Sequence, residues 1–192
     1  MLRKLIIFLK QSFLFQMRLT MIHLTQFHSP LGTLLAMAQP EGIVRLDFLD
    51  EKLDEDGLRT KALKCASQDE ISLQRIPLLD DLGRQLAAFF SGKRRHFDVP
   101  LCLHGTTFQR QVWDALLTIP YGSTISYGQL AVKVGRTSAG QSRAVANANA
   151  RNPIAIIVPC HRVIGSDDSL TGYAGGIWRK QALLVLEGAR LL

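Results

Sequence analysis

Residues 154–163 read Ile-Ala-Ile-Ile-Val-Pro-Cys-His-Arg-Val, and this stretch decides the fold and the chemistry of the chain. Residues 154–158 have the length and the β-branched content of a buried strand. Pro159 cannot continue a strand ladder, so we expect the strand to end there with Cys160 at its tip. His161 offers that thiol a base, which activates cysteine as a nucleophile. The alternative is a cysteine buried in the core, where free cysteine is common.

Composition bounds the class of protein. The chain has 192 residues, of which 47% are apolar and 20% charged, so it is long enough for a soluble domain with a real core or for two small ones. Its three cysteines, Cys65, Cys102 and Cys160, are odd in number and widely spaced. This spacing favours neither a disulfide framework nor a metal site. We expect a reducing, cytoplasmic location.

The positive charge is concentrated in the half that contains Cys160. The whole chain has a net charge of +7. Residues 21–103 carry ten basic and twelve acidic groups, a net of −2, whereas residues 104–192 carry nine basic and four acidic groups, a net of +5. A basic half of this kind suits a polyanion such as nucleic acid.

Residues 1–20 carry four basic groups and no acid. Their apolar stretch is interrupted at Lys10, so it is too short to span a membrane. It also lacks the long apolar core and clear cleavage site of a signal peptide. A basic amphipathic surface helix is the alternative. Because the globular pattern begins at Met21, we expect residues 1–20 to be a dispensable extension without a membrane partner.

Hydrophobic periodicity predicts strands and then helices along the chain. Short apolar runs between turn signals predict the strands, and apolar stripes at helical spacing predict the helices. The predicted strands are residues 22–27, 32–37 and 42–49, and the predicted helices are residues 52–68, 76–90, 106–117, 126–135, 139–150 and 178–191. The helices at 126–135 and 139–150, joined by a glycine-containing turn, are typical of a helix-turn-helix. An ordinary helical hairpin is the alternative.

Three blocks of sequence then coincide in order. They are Gly105-Thr106-Thr107-Phe108-Gln109, then Ile119-Pro120-Tyr121-Gly122 with Ser126-Tyr127-Gly128, and finally Arg143-Ala144-Val145 with Asn152-Pro153 and the stretch around Cys160. Together they resemble the methylated-DNA–protein-cysteine methyltransferases, also called O6-alkylguanine-DNA alkyltransferases. The resemblance is specific over residues 105–188 and weak over residues 21–104.

This resemblance implies an α+β fold with two domains. Residues 21–103 would form a ribonuclease-H-like domain, and residues 104–192 a mainly helical DNA-binding and alkyl-acceptor domain with a winged-helix-like helix-turn-helix. It also implies direct-reversal DNA repair, in which one alkyl group moves from O6 of guanine, or less readily O4 of thymine, to Cys160. The transfer would need no cofactor and would be irreversible, because a thioether has no leaving group. The implied partner is double-stranded DNA, bound by a monomer through the minor groove.

The resemblance also implies roles for the catalytic residues. His161 would draw the proton from Cys160 through a water, and Glu187 on the last helix would stabilise the imidazolium. Tyr127 would protonate the leaving guanine, and Asn152 would support the turn before the cysteine. Without the resemblance, Glu187 is a surface acid at a helix end and Tyr127 a half-buried aromatic residue.

The remaining implied residues contact DNA or line the pocket. Arg143 would fill the gap left by a flipped nucleotide, although a phosphate contact is the alternative. The implied contacts also include, for DNA, Tyr127, Ala139, Gly140 and Ser142, and, for the base pocket, Val163, Tyr173, Ala174 and Gly175. Three positions depart from the family pattern: Ala174 stands where some members have serine, Asp168 stands where glycine is frequent, and Trp178 is bulky for its position.

Three other functions compete with this interpretation. Alkyltransferase-like proteins only bind alkylguanine, but they carry tryptophan at the position of Cys160. A helix-turn-helix regulator would use the motif for DNA binding alone. A cysteine hydrolase would need an oxyanion site, and the sequence has no evident one.

Overall fold

The computed structural model describes residues 21–49, 54–63, 70–136 and 141–189. The first half contains β1 (Met21–Ser29), β2 (Gly32–Gln39), β3 (Gly42–Leu49), α1 (Glu55–Leu63), β4 (Glu70–Ser72) and α2 (Pro77–Phe90). The second half contains α3 (Thr107–Leu117), β5 (Ile125–Ser126), α4 (Tyr127–Lys133), α5 (Gln141–Ala150), a 3-10 turn (Cys160–Arg162), β6 (Val163–Ile164) and α6 (Ile177–Leu186). The predicted α+β fold is confirmed. Residues 1–20, Ala139 and Gly140 lie outside the described residues.

The first half is built on a four-stranded sheet with the order β3-β2-β1-β4. β1, β2 and β3 form an antiparallel meander, and β4 pairs with β1 in parallel. The three predicted strands are confirmed, whereas β4 has only three residues and too little alternation to predict. Gly32 begins β2 with a φ of +110°, which a side chain would oppose.

Helix α2 packs its apolar stripe on this sheet. Leu79, Leu82 and Leu86 are buried at helical spacing, as the sequence predicted, and Phe89 is buried with them. Gly83 allows the close approach, because a Cβ there would lie 2.7 Å from the ring of Phe27. The stripe thus fixes α2 to the face of the sheet.

Two capping boxes fix the starts of helices in the second half. The Thr106 hydroxyl accepts from the Gln109 N–H while the Gln109 side chain accepts from the Thr106 N–H, and Ser126 and Gln129 repeat the arrangement. Each box satisfies two backbone donors that a helix start leaves open. The indole of Trp113 donates to the Ala148 carbonyl at 2.9 Å, which ties α3 to α5.

The prediction of a strand over residues 154–158 was wrong. Ile154 makes a single parallel bridge to Leu46 of β3, and residues 155–157 form a turn. Ile156 has a φ of +71°, a strained conformation for a β-branched residue. Asn152 bridges the two ends of this segment: its side-chain oxygen accepts from the Ile154 N–H at 3.0 Å, and its side-chain nitrogen donates to the Val158 carbonyl at 2.8 Å. These bonds fold the segment back on itself, although it is buried as predicted.

The last helix ends at Leu186, whereas the sequence predicted residue 191. Gly188 adopts a φ of +66°, the left-handed conformation that terminates many helices. Glu187 is therefore the residue that caps the helix rather than one within it. Its side chain is free to turn into the protein.

One apolar core joins the sheet to the second half. It unites Leu34 and Leu46 of the sheet with Trp113, Ile156 and Leu183. The turn before Cys160 consequently rests on the edge of the sheet. Within the described ranges, no helix has the length and apolar character needed to cross a membrane.

Candidate active site

Cys160 is the first residue of the 3-10 turn and only 7% of it is exposed. The side-chain nitrogen of Asn152 donates to its Sγ at 3.0 Å. Burial raises the pKa of the Cys160 thiol to about 11, although the Asn152 hydrogen bond and the charge of Lys180 oppose the rise. The resting group is therefore a thiol, which needs a base before it can act as a nucleophile.

His161 is a neutral base next to this thiol. It is completely buried, and its Nε2 lies 2.9 Å from Oε1 of Glu187. An ionised carboxylate only accepts, so Nε2 carries the proton and Nδ1 keeps its lone pair. Nδ1 is buried without a hydrogen-bond partner among the described residues. Burial lowers the pKa of His161, although Glu187 opposes the shift, so the imidazole is neutral at pH 7.

Arg162 holds Glu187 in its ionised form. Its Nε and Nη2 donate to the two carboxylate oxygens at 2.8 and 2.9 Å, and its Nη1 donates to the Ile119 carbonyl at 2.6 Å. Burial alone would raise the pKa of Glu187, but the hydrogen bonds from His161 and Arg162 lower it to about 2. Sequence reasoning missed Arg162, although it directly follows His161.

The segment 119–122 positions Glu187 from the other side. The Gly122 N–H donates to Oε2 of Glu187 at 3.3 Å, and the Tyr121 hydroxyl donates to the Leu186 carbonyl at 3.1 Å. A Cβ on Gly122 would lie 2.8 Å from the Glu187 carbonyl oxygen, and its φ is +73°. Only glycine allows this close approach. The Ile-Pro-Tyr-Gly block is thus a support for the acid of the site.

Cys160 lies in the wall of a cavity of about 260 Å³. The predicted pocket residues Tyr173, Ala174 and Gly175 line it. Val163 is not among the lining residues, and its carbonyl accepts from Lys180 Nζ at 2.6 Å. The hydroxyl of Tyr173 is buried without a partner among the described residues. The cavity therefore presents polar groups that a bound base could use.

The sheet supplies a wall of the cavity that the sequence did not predict. Arg45, Asp47 and Phe48 of β3 line it, together with Lys61 of α1. Arg45 and Asp47 form an ion pair. Burial raises the pKa of Asp47 in spite of this partner. Arg45, Asp47 and Phe48 are more than a hundred positions from Cys160 in the sequence, and no local pattern marks them.

Tyr127 faces the loop that closes the cavity. Its hydroxyl donates to the carbonyls of Thr171 and Gly172 at 3.3 and 3.4 Å. A Cβ on Gly172 would lie 2.9 Å from this hydroxyl, and the φ of Gly172 is +63°, so both space and backbone conformation favour glycine there. Burial raises the pKa of Tyr127, and the phenol is protonated at neutral pH. Asp168, at the departure from the family pattern, has a φ of +61°, which aspartate tolerates better than most residues.

The DNA-facing prediction concerns α5. Ser142 and Arg143 are exposed on its first turn, and Arg143 makes no hydrogen bond or ion pair within the described parts of the chain. Val145 and Ala148 on the opposite side of the helix are buried. The exposed end of α5 is thus open to a ligand.

Comparison with known proteins identifies the family. A model of the ribonuclease-like domain of 6-O-methylguanine DNA methyltransferase matches residues 22–103, and a model of its DNA-binding domain matches residues 107–189. The methylated-DNA–protein-cysteine methyltransferase of Methanosarcina acetivorans is 44% identical over 163 residues, which cover 85% of this chain and 96% of that protein. The chain belongs to the methylated-DNA–protein-cysteine methyltransferases.

Solved structures agree with this family. The crystal structure of Mycobacterium tuberculosis O6-methylguanine methyltransferase is 44% identical with a TM-score of 0.71, covering 87% of this chain and 93% of that one. Mycobacterium tuberculosis OGT in complex with DNA is 42% identical with a TM-score of 0.70, covering 88% of this chain and 92% of that one. This methyltransferase therefore acts in the repair of alkylated DNA.

Proposed function

We propose that this methyltransferase transfers one alkyl group from O6 of guanine in DNA, and less readily from O4 of thymine, irreversibly to Cys160. One observation carries the proposal. Cys160 lies at a cavity wall beside a neutral imidazole whose Nε2 is bound to the ionised Glu187. This arrangement suits the removal of a thiol proton at neutral pH.

The first step is the loss of the thiol proton. Nδ1 of His161 accepts it through a bridging water, and the imidazole becomes an imidazolium. Glu187 stabilises that cation at 2.9 Å, and Arg162 keeps the carboxylate oriented. Asn152 holds the sulfur in place during the transfer.

The second step is an in-line displacement at the alkyl carbon. The bond between Sγ and the carbon forms while the bond between the carbon and O6 breaks, and its electron pair stays on the base. Tyr127 donates its proton to a ring nitrogen as charge develops there. Tyr127 then regains a proton from solvent, and the imidazolium releases one. The thioether has no leaving group, so each molecule reacts once.

Nucleotide flipping brings the base to the thiol. A stacked base cannot reach a thiol in a cavity wall, so the nucleotide must leave the duplex. Exposed Arg143 would fill the gap, while the small residues of α5 allow the helix into the minor groove. The net charge of +5 on residues 104–192 would attract the phosphates of the duplex, which we propose is bound by a monomer.

The domain boundary between residues 103 and 104 and the cytoplasmic location stay predictions.

A labelling experiment tests the proposal. Duplex DNA carrying methyl-labelled O6-methylguanine is incubated with protein, with the DNA in excess, and the protein is digested for mass spectrometry. We expect about one equivalent of label per protein, all of it on the peptide that contains Cys160. A duplex with O4-methylthymine should react more slowly. Continuous turnover, or label on Cys102, would contradict the proposal.

A further inference from the structure

Lys180 of α6 is a buried cation beside the segment that follows the Cys160 turn. None of its surface is exposed. Within the described ranges, no Asp or Glu carboxylate forms an ion pair with it. A buried charge without a counter-charge destabilises a protein, so its position calls for a functional reason.

The ammonium joins the two segments that flank the cavity. Nζ donates to the Val163 carbonyl and to the Thr171 carbonyl, both at 2.6 Å. Val163 follows the turn that holds Cys160, and Thr171 leads into the lining loop. The Thr171 carbonyl also accepts from the Tyr127 hydroxyl, and Nζ lies 6.0 Å from the centre of the Tyr127 ring. The carbonyl groups accept hydrogen bonds from the ammonium, but they are neutral and do not cancel its positive charge.

The charges around Lys180 come from several elements. Burial lowers the pKa of Lys180 to about 8, and an ionised Cys160 would raise it, so the ammonium is mostly charged at pH 7. In return, Lys180 lowers the pKa of Cys160. Asp47 on β3 has the opposite effect on Cys160, but Asp47 is paired with Arg45.

Three further groups face the same site. Tyr127 on α4 and Tyr173 in the loop are neutral phenols, since burial raises the pKa of each. Neutral His161 also has its pKa lowered slightly by Lys180. Before the reaction, Lys180 is thus a charged group that forms no ion pair with a carboxylate of the described residues.

We propose that Lys180 is a positioning residue, whose ammonium stabilises the Cys160 thiolate and ties the Val163 segment to the lining loop. The inference rests on the proposed role of Cys160 as the acceptor. When His161 takes the thiol proton, a negative charge forms inside the protein. The fixed ammonium favours that charge at a buried site, where electrostatic attraction is stronger than in bulk water.

Two substitutions separate the charge from the hydrogen bonds. Lys180→Gln removes the charge and keeps amide donors, whereas Lys180→Arg keeps the charge. Both are made with Cys65→Ser and Cys102→Ser, so that Cys160 is the only thiol, and a Cys160→Ser version serves as the blank. Alkylation of Cys160 by iodoacetamide reports the thiolate between about pH 6 and about pH 8, where the ammonium is charged, and the rate of transfer is measured across the same pH range.

We expect Lys180→Gln to lower the thiolate population at pH 7, so that reaction with iodoacetamide and alkyl transfer both slow about tenfold. Lys180→Arg should restore most of both rates. Unchanged reaction with iodoacetamide in Lys180→Gln, with the same loss of transfer at every pH, would reduce Lys180 to a structural clamp. Failure of wild-type protein to take label on Cys160 would instead overturn the proposed function.

A second measurement applies if Lys180→Gln does not fold, which its thermal unfolding reveals. The Lys180 ammonium is titrated by nitrogen NMR in wild-type protein. The rate of transfer by wild-type protein is also followed from about pH 6 to about pH 10. Since Lys180 loses its proton near pH 8, below the pKa of Cys160, the rate should stop rising with pH near 8. A rate that keeps rising to about pH 10 would overturn the inference.

Discussion

The interior of the site and the exposed end of α5 are built in opposite ways. Buried His161, Arg162 and Glu187 are joined by hydrogen bonds of 2.8 to 2.9 Å. Ser142 and Arg143 are exposed, and Arg143 has no partner within the described residues. The groups proposed for the chemistry are therefore in place before any substrate binds, whereas the proposed contacts of α5 with DNA would form only on binding. Substitutions of the buried residues should slow transfer from every substrate. Substitutions on α5 should slow transfer from duplex DNA only.

The largest effect is expected from Cys160→Ala. Without the sulfur there is no acceptor, so all transfer should be lost while duplex binding stays within about twofold of wild type. Label transfer and fluorescence anisotropy measure the two properties. Cys102→Ala is the matched control, since Cys102 is a second free thiol that does not line the cavity. Residual transfer by Cys160→Ala would mean that another residue accepts the alkyl group.

Glu187→Gln should come next. A neutral amide cannot stabilise the imidazolium and leaves Arg162 without its carboxylate, so the transfer rate should fall by about 10²-fold or more. The loss should be equal for duplex DNA and for the free alkylated base. Single-turnover kinetics with both substrates measure it, and Glu70→Gln, an exposed site, should change nothing. A loss confined to duplex DNA would place Glu187 with the DNA contacts.

The same residue predicts the behaviour in acid. The pKa of Glu187 is lowered from 4.5 to about 2 in the folded protein. Its contribution to stability is therefore present above pH 4.5 and is lost as the pH falls toward about 2. That contribution is about 3 kcal/mol, and Glu187→Gln should lack this part of the pH dependence. Urea unfolding at several pH values measures it, and parallel curves for the two proteins would contradict it.

Arg143→Ala should have a smaller effect that depends on the substrate. We expect repair of duplex DNA to slow about tenfold, while reaction with the free alkylated base stays unchanged. Arg110→Ala removes the same charge from an exposed position on α3 and is the control for electrostatic attraction. Equal losses on both substrates would contradict the intercalating role.

The smallest effect is expected from deletion of residues 1–20. The rate on either substrate should change less than about twofold, with slightly weaker duplex binding at low salt because four basic groups are removed. Kinetics at low and moderate salt measure this. Loss of activity on deletion would show that the segment contributes to the site.

The sequence predicted the parts of the site that local motifs carry. Cys160, His161 and Asn152 lie within nine residues of one another, and the structure places them together. Glu187 was predicted only from the family resemblance, because no local sequence pattern distinguishes it from other glutamates at helix ends. The strand before Cys160 was wrongly predicted, because hydrophobicity reports burial and does not reveal that an Asn152 amide replaces a ladder partner.

Tertiary packing explains what the sequence could not predict. Arg45 and Asp47 reach the cavity only because β3 pairs with Ile154 at its edge. Lys180 shares a helix with exposed residues, and its burial depends on how α6 docks. Contacts of this kind depend on the assembled fold, and no window of sequence contains them.

In the free enzyme, the Tyr127 hydroxyl already donates to two backbone carbonyls, those of Thr171 and Gly172. A bound base must compete with the enzyme's own loop for this donor. Since one hydrogen bond is exchanged for another, the contact adds little to ground-state affinity. The exchange becomes favourable only as the leaving base gains negative charge and becomes the stronger acceptor. In the proposed mechanism, Tyr127 would thus bind the leaving base of a reacting lesion more strongly than the undamaged bases that the enzyme encounters along DNA.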